Sequence, residues 1–274
     1  MKKADLHAHS YYSDGDFSPA DVVKKAKEAG LDCIAMTDHD TINGNFEAVQ
    51  AGMEYRIEVI PGVEIRSEHG EILGLFVDSD DPELDALLRK IQKSRKERIM
   101  KTVDLMSKAG YDISYDELTK RFPKFRDSTI HVITFCIEKG FFKDFWGAYR
   151  EFFAEGKKFR VASDKITDEN AIKAIKTAGG VAIWAHPWLD EPDFLFKNID
   201  KFIELGLDGI EDEVSEYKPD NYEQVAEKVR NICNEKGLII SKGSDFHGPL
   251  IGAPLGRIFV DYSVVEELKR RLEK

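Results

Sequence analysis

Short apolar runs alternate with segments of helical period in the first third of the chain, and again after about residue 166. Ala4–His9 reads as a strand ending in polar residues, with Cys33–Thr37, Glu58–Glu64 and Ile72–Val77 as three more. Ser18-Pro19-Ala20-Asp21 has the form of a helix start, with Ser18 at the N-cap, Pro19 at N1 and Asp21 at N3. That helix carries Val22, Val23, Ala26 and Ala29 and closes at Gly30. Later, helices over Glu169–Ala178, Phe194–Leu205, Tyr222–Glu235 and Val264–Leu272 alternate with strands Val181–Trp184, Gly209–Glu211, Leu238–Ser241 and Arg257–Val260. Repeated strand–helix–strand units with short connections predict an α/β fold with a mainly parallel sheet, closed or nearly closed into a β/α barrel.

The pattern breaks after Asp78-Ser79-Asp80-Asp81-Pro82. From about Glu83 to Phe159 the chain is helical in period, basic and rich in aromatics, among them Phe122, Phe125, Phe135, Phe141, Phe142, Phe145, Trp146, Phe152 and Phe153. The reading is an inserted helical cap subdomain over 82–165, its aromatics forming its own small core, between barrel segments 1–81 and 166–274.

Length and charge sharpen this. The chain has 274 residues, 42% hydrophobic and 33% charged, enough for one barrel with an insertion. Net charge is −11, which argues against broad nucleic-acid binding. Pro82–Lys165 nevertheless holds 19 basic against 13 acidic residues, a surplus of +6 that leaves −17 on the rest. An acidic body invites divalent cations, and a basic insertion an anionic substrate; for Arg89–Lys101 alone a solvated helix face is the better account. Cys33, Cys136 and Cys233 are odd in number and unpaired in spacing, so reduced core thiols are expected. Met1-Lys2-Lys3 precedes no apolar stretch and no run approaches a membrane span, so a cytoplasmic location is expected.

The chemistry sits where strands end. His7 and His9 follow the first strand two residues apart, facing one side of an extended segment. His39 follows the second, Glu64 ends the third and His186 follows Val181–Trp184; Asp245 and His247 follow Leu238–Ser241, again two apart. In a β/α barrel these ends converge on one mouth. Imidazole with carboxylate, without thiolate, suits Zn²⁺, Mn²⁺ or Fe²⁺ in open sites. Any one of these histidines alone would be unremarkable; the combined pattern is not.

Asp5-Leu6-His7-Ala8-His9-Ser10, with Ser13-Asp14-Gly15, resembles the first motif of the PHP (polymerase and histidinol phosphatase) superfamily. Thr37-Asp38-His39-Asp40, Pro61-Gly62-Val63-Glu64-Ile65, Ala185-His186-Pro187 and Gly243-Ser244-Asp245-Phe246-His247-Gly248 are similar to its later motifs. The resemblance implies a distorted (β/α)7-type barrel holding two or three metal ions and hydrolysing phosphate esters, within a stand-alone subgroup that acts on nucleoside phosphates or as 5′→3′ exoribonucleases. It implies His7, His9, Asp14, His39, Glu64, His186, Asp245 and His247 as ligands. Asp38 and Asp40 would orient His39, Asp38 would take part in catalysis, or Asp40 would cap a helix. Three departures stand out. Glu71 occupies a position where the family has histidine, with His69 two residues before it; Glu71 either coordinates a metal or leaves a third site weak or empty. Ser128-Thr129-Ile130-His131 keeps a histidine but lacks the family's arginine, and Ala185-His186-Pro187-Trp188-Leu189-Asp190 lacks another. Arg126, Lys157, Lys158 or Arg160 would replace that charge.

The expected activity is hydrolysis of small phosphomonoesters, nucleoside phosphates among them, by in-line attack of metal-bound hydroxide. His131 would bind phosphate or protonate the leaving alcohol, with an ordinary helix histidine as the even alternative. Rival readings are a 5′→3′ exoribonuclease on short RNA, a metal-binding scaffold without turnover, and an amidohydrolase, for which no catalytic lysine is evident. No membrane association or obligate protein partner is expected.

Overall fold

The computed structural model describes residues 2–122, 127–162, 165–189, 191–214, 218–249 and 253–273. The chain falls into two compact units, Met1–Leu88 with Lys165–Lys274, and Arg89–Asp164. Helix α3 (Pro82–Lys108) begins in the first unit and continues in the second.

Among the described residues the first unit holds eight strands: β1 (Lys3–Asp5), β2 (Cys33–Met36), β3 (Glu58–Arg66), β4 (Glu71–Leu75), β5 (Val181–Trp184), β6 (Leu207–Val214), β7 (Ile239–Gly243) and β8 (Val260–Asp261). Helices α1 (Pro19–Glu28) and α2 (Asn45–Tyr55) link β1 to β3, and α7 (Asp168–Thr177) precedes β5. Helices α8 (Pro192–Lys197) and α9 (Ile199–Glu204) precede β6, α10 (Tyr222–Lys236) precedes β7, and α11 (Tyr262–Leu272) ends the chain. The start read at Ser18 is as expected: its side chain accepts from Asp21 N–H. The single helix read over Phe194–Leu205 is two short ones meeting at Asn198.

The strands form one sheet in the order β7-β6-β5-β4-β3-β2-β1-β8. β1, β2 and β3 are parallel, as are β5, β6 and β7. β4 runs antiparallel to both β3 and β5, and β8 antiparallel to β1. The barrel is therefore less uniformly parallel than the sequence pattern predicts. It draws nearly closed where the chain beyond β1 meets the end of β7: Leu6 N–H donates to Lys242 O at 3.3 Å, Asp245 N–H to His7 O at 2.9 Å and His9 N–H to Phe246 O at 2.9 Å. Strand residues Ala4, Cys33, Ile60, Leu73, Val181, Ile183 and Ile239, with Leu6 just beyond β1, form one core cluster with Val265 and Leu268 of α11. On the outer side, Val22, Val23 and Ala26 of α1 and Ala48 and Ala51 of α2 cover Ile34 and Met36.

In the second unit, α3 packs with α4 (Tyr115–Arg121), α5 (Thr129–Glu138) and α6 (Phe145–Ala148), the last followed by a wide turn over Tyr149–Phe153. Phe135, Phe153 and Phe159 are buried in this unit's own cluster with Ile99, Val103 and Val132. Trp146 stays 43% exposed, and Phe125 lies outside the described residues.

Candidate functional site

Six strands of the first unit run in one direction, so their C-terminal ends share one mouth; β4, reversed, presents its first residue there instead. Reversal is what brings Glu71, the first residue of β4, level with the ends of its neighbours. Beyond β1 the chain stays extended, so His7 and His9 share a side while Leu6 and Ala8 turn into apolar clusters.

Glu64 of β3 is the hub. Its Oε2 lies 3.2 Å from His7 Nε2, 3.3 Å from His9 Nε2 and 3.0 Å from His39 Nδ1, and its Oε1 lies 2.9 Å from His186 Nε2. Asp245 Oδ1 adds a second shared oxygen, 3.4 Å from His7 Nε2, 3.2 Å from His9 Nε2 and 3.5 Å from His247 Nδ1. Asp14 Oδ1 is 3.2 Å from His247 Nε2, and its Oδ2 is 3.9 Å from His39 Nε2. Glu71 reaches His186 Nε2 at 3.4 Å and His39 Nδ1 at 3.7 Å. His9 stacks between His39 and His247, with ring centroids 4.6 and 4.1 Å away.

Two candidate donors sit on unusual backbone: His186 has φ 23° and Asp245 φ 51°. For residues other than glycine that conformation is strained and persists only where surroundings over-determine it, as at functional sites.

The donor set fits divalent cations. Three groups each offer one donor atom per residue, all within 4.8 Å of one another: His9, Asp14, His39 and His247; His7, His9, Glu64 and Asp245; His39, Glu64 and Glu71. His9 Nε2 is buried without a hydrogen-bond partner among the described residues, aimed between Glu64 and Asp245. So many lone pairs packed together need positive charge among them.

In the metal-free protein protons supply that charge. Burial opposes charging His9 and His186, yet carboxylates outweigh it and push both up to about 10: Asp245 and Glu64 act on His9, Glu64 and Glu71 on His186. His7 is likewise raised, against burial, by Glu64, Glu211 and Asp245. Burial wins at His39, which is lowered. The carboxyl groups of Asp14 and Glu64 are held well below the ordinary range; burial acts the other way, but His39 and His247 prevail at Asp14, and His39 and His7 at Glu64.

Residues around the cluster fix its shape. Asp38 accepts from Ser10 N–H, Ser10 Oγ and Ser13 Oγ, each at 2.7 Å, so its carboxylate shapes the loop that leads to Asp14. Asp40 does not cap α2, which starts at Asn45 after Gly44; its Oδ1 accepts from Arg66 N–H at 3.1 Å. His69 stands apart from the cluster, its Nδ1 2.7 Å from Asp168 Oδ2 and its ring stacked on Phe194 at 3.5 Å. Glu211 of β6 is a member the sequence reading missed: it is fully buried, beside His7 Nδ1 at 3.2 Å, and accepts from His186 N–H at 3.0 Å. The signal was a carboxylate ending the short apolar run Gly209–Glu211.

The basic candidates belong to the second unit. His131 lies in the first turn of α5 with its ring 4.8 Å from that of Phe122, near Thr129, whose Oγ1 accepts from Arg98 Nη1 at 2.9 Å. Lys158 Nζ sits 5.2 Å over the Phe159 ring, and Arg160 Nε donates to Glu155 Oε2 at 3.2 Å. Arg126 lies outside the described residues. Among the described residues no helix is long and apolar enough to cross a membrane.

A family model for the PHP domain matches residues 5–175. A 5′–3′ exoribonuclease of Haemophilus influenzae is 33% identical over 262 residues, covering 93% of this chain and 94% of the relative. A 3′,5′-nucleoside bisphosphate phosphatase of Chromobacterium violaceum is 30% identical, covering 91% and 88%. A Bifidobacterium adolescentis structure assigned as a metal-dependent phosphoesterase superposes with a TM-score of 0.88 at 25% identity, over 99% of this chain and 96% of the other. An amidohydrolase from Chromobacterium violaceum, with bound sulfate and no metal, gives 0.86 at 30% identity, over 98% and 96%.

Proposed function

This chain belongs to the PHP family and is a metal-dependent phosphoesterase, a hydrolase of phosphoric esters, and from that premise we propose that it removes phosphate from small phosphomonoesters, nucleoside phosphates among them. The observation that carries the reading is Glu64, buried within 3.3 Å of nitrogens on four different histidines. We assign His7, His9, Asp14, His39, Glu64, His186, Asp245 and His247 to two or three divalent cations, with Zn²⁺, Mn²⁺ and Fe²⁺ as the candidates. Such cations polarise a phosphoryl oxygen and activate water at neutral pH.

The chain's own residues do the rest. Glu64 and Asp245 share their oxygens among several imidazoles, so they set the spacing of the centre. Asp38 serves by holding the Ser10–Ser13 loop, and Glu211 by orienting His7. The barrel segments 1–81 and 166–274 carry the chemistry. The +6 surplus of the inserted 82–165 segment supports substrate binding by Lys158 and Arg160, with Arg126 in the same role; His131 is the proposed proton donor to the leaving group. A cytoplasmic location is supported by Cys33, Cys136 and Cys233, which are buried and unbridged.

A second reading, 5′→3′ exonuclease action on short RNA, is favoured by one observation: the Haemophilus relative bearing that name matches nearly end to end. The test compares a nucleoside 3′,5′-bisphosphate and a mononucleotide with a 5′-phosphorylated oligoribonucleotide, at two salt concentrations, with Zn²⁺, Mn²⁺ or Fe²⁺. Phosphate release from the small substrates, lost on chelation and dialysis, is expected. Stepwise shortening of the oligonucleotide, with the small substrates untouched and a steep salt dependence, would establish the second reading instead.

A further inference from the structure

Glu71 carries a guanidinium directly on its carboxylate. Arg66 ends β3 and pairs in register with Glu71 across the hairpin to β4. Its Nε donates to Glu71 Oε1 at 2.6 Å, and its Nη2 lies 2.5 Å from the same oxygen. The Glu71 side chain is 10% exposed and that of Arg66 50%, so the pair has a buried acidic end and a wetted basic end. Asp40 anchors the backbone beneath it by accepting from Arg66 N–H.

The doubly paired oxygen, Oε1, is also the one that approaches His39 Nδ1, and Glu71 forms the third donor group with His39 and Glu64. An ion bound there would have to share one carboxylate with the guanidinium. Metal–oxygen bonds of about 2.0–2.2 Å would bring two like-charged centres within a few ångströms. An ammonium could shed its proton to relieve that; a guanidinium stays charged at any working pH.

We infer that Arg66 is the resident cation of the third position. The chain holds two divalent ions tightly, one among His7, His9, Glu64 and Asp245 and the other among Asp14, His39 and His247, and the Arg66–Glu71 pair takes the place of a third. This rests on the proposed metal centre and fixes its ion count.

The test is metal content, independent of turnover. The full chain and the variants Arg66→Gln and Glu71→His are dialysed with excess Mn²⁺, freed of loose metal and measured by elemental mass spectrometry, with circular dichroism as the check on folding. The native chain is expected to keep two ions and each variant three: Arg66→Gln removes the adjacent like charge, and Glu71→His removes the carboxylate that holds the guanidinium at the position, and calorimetry should show the third site tighter by roughly tenfold or more. A native chain that keeps three ions, or a folded variant that stays at two, overturns the inference and leaves the proposed function standing. A native chain that keeps none overturns both.

Discussion

Glu211 sets both carboxylate oxygens against a single nitrogen of His7, Oε1 at 3.2 Å and Oε2 at 3.3 Å from Nδ1, and both side chains are wholly buried. The contact assigns the ring its roles: Nδ1–H donates to the carboxylate, and Nε2 turns toward Glu64 and Asp245. Since Glu211 also accepts from His186 N–H, one side chain positions two candidate donors. Glu211→Gln keeps the volume but weakens the charge that holds this tautomer. Metal affinity is expected to fall about 10–100-fold, with the circular dichroism spectrum unchanged and turnover restored by excess metal. A deficit persisting at saturating metal would show that Glu211 acts otherwise.

Chelation should leave a protein whose stability depends on pH in a particular direction. His9 and His186, pushed up to about 10 in the metal-free cluster, keep their protons in the fold after the unfolded chain has lost them. Their contribution is complete below about pH 6.5 and is lost as pH rises toward 10. Asp14 and Glu64, held low, contribute above the ordinary carboxylate range and lose that contribution as pH falls through it. The chelated protein should therefore melt highest at mildly acid pH and progressively lower from pH 7 to 9. Metal displaces those protons, so the loaded protein should not show that alkaline decline. Thermal unfolding of both forms across pH checks it; parallel curves would count against the cluster as the source.

The donors themselves are legible in the sequence because a two-residue spacing in extended chain puts both side chains on one side, whatever the fold. Strand direction is not legible, since an apolar run such as Ile72-Leu73-Gly74-Leu75 looks the same read against or along its neighbours. Glu71 reaches the mouth only because β4 is reversed. Glu211 escapes notice for another reason. Its meaning comes from a histidine 204 positions away, whereas His7 and His9 announce each other. His69, two residues before Glu71 in sequence, is committed instead to Asp168 and Phe194.

Asp38 separates a positional role from a chemical one. Its carboxylate accepts three hydrogen bonds from Ser10 and Ser13, and removing it costs about 1–3 kcal/mol for each buried donor left unpaired. Asp38→Ala is expected to lower the melting temperature and weaken metal binding, with Ser13→Ala doing the same to a smaller degree. Turnover should recover largely at high metal. If Asp38→Ala instead melts like the native chain yet stays inactive at saturating metal, Asp38 takes part in the chemistry directly.

At Gly243 the backbone of β7 packs tightly against the chain beyond β1. A methyl group there would meet His7 Cβ at 2.3 Å and His7 N at 2.6 Å. Neither strand can yield without pulling His7 away from Asp245, because Asp245 N–H donates to His7 O just beyond. Gly243→Ala should therefore cost stability, about 1–3 kcal/mol for an overpacked site, and weaken metal binding with it. Gly30 provides the contrast. It has φ +80° with nothing within 4 Å of an added Cβ, so Gly30→Ala should cost about 1 kcal/mol of backbone strain and leave metal affinity alone. Thermal unfolding and metal titration of the two variants separate the cases. If Gly243→Ala bound metal like the native chain, the β1–β7 seam would not be what spaces His7 from Asp245.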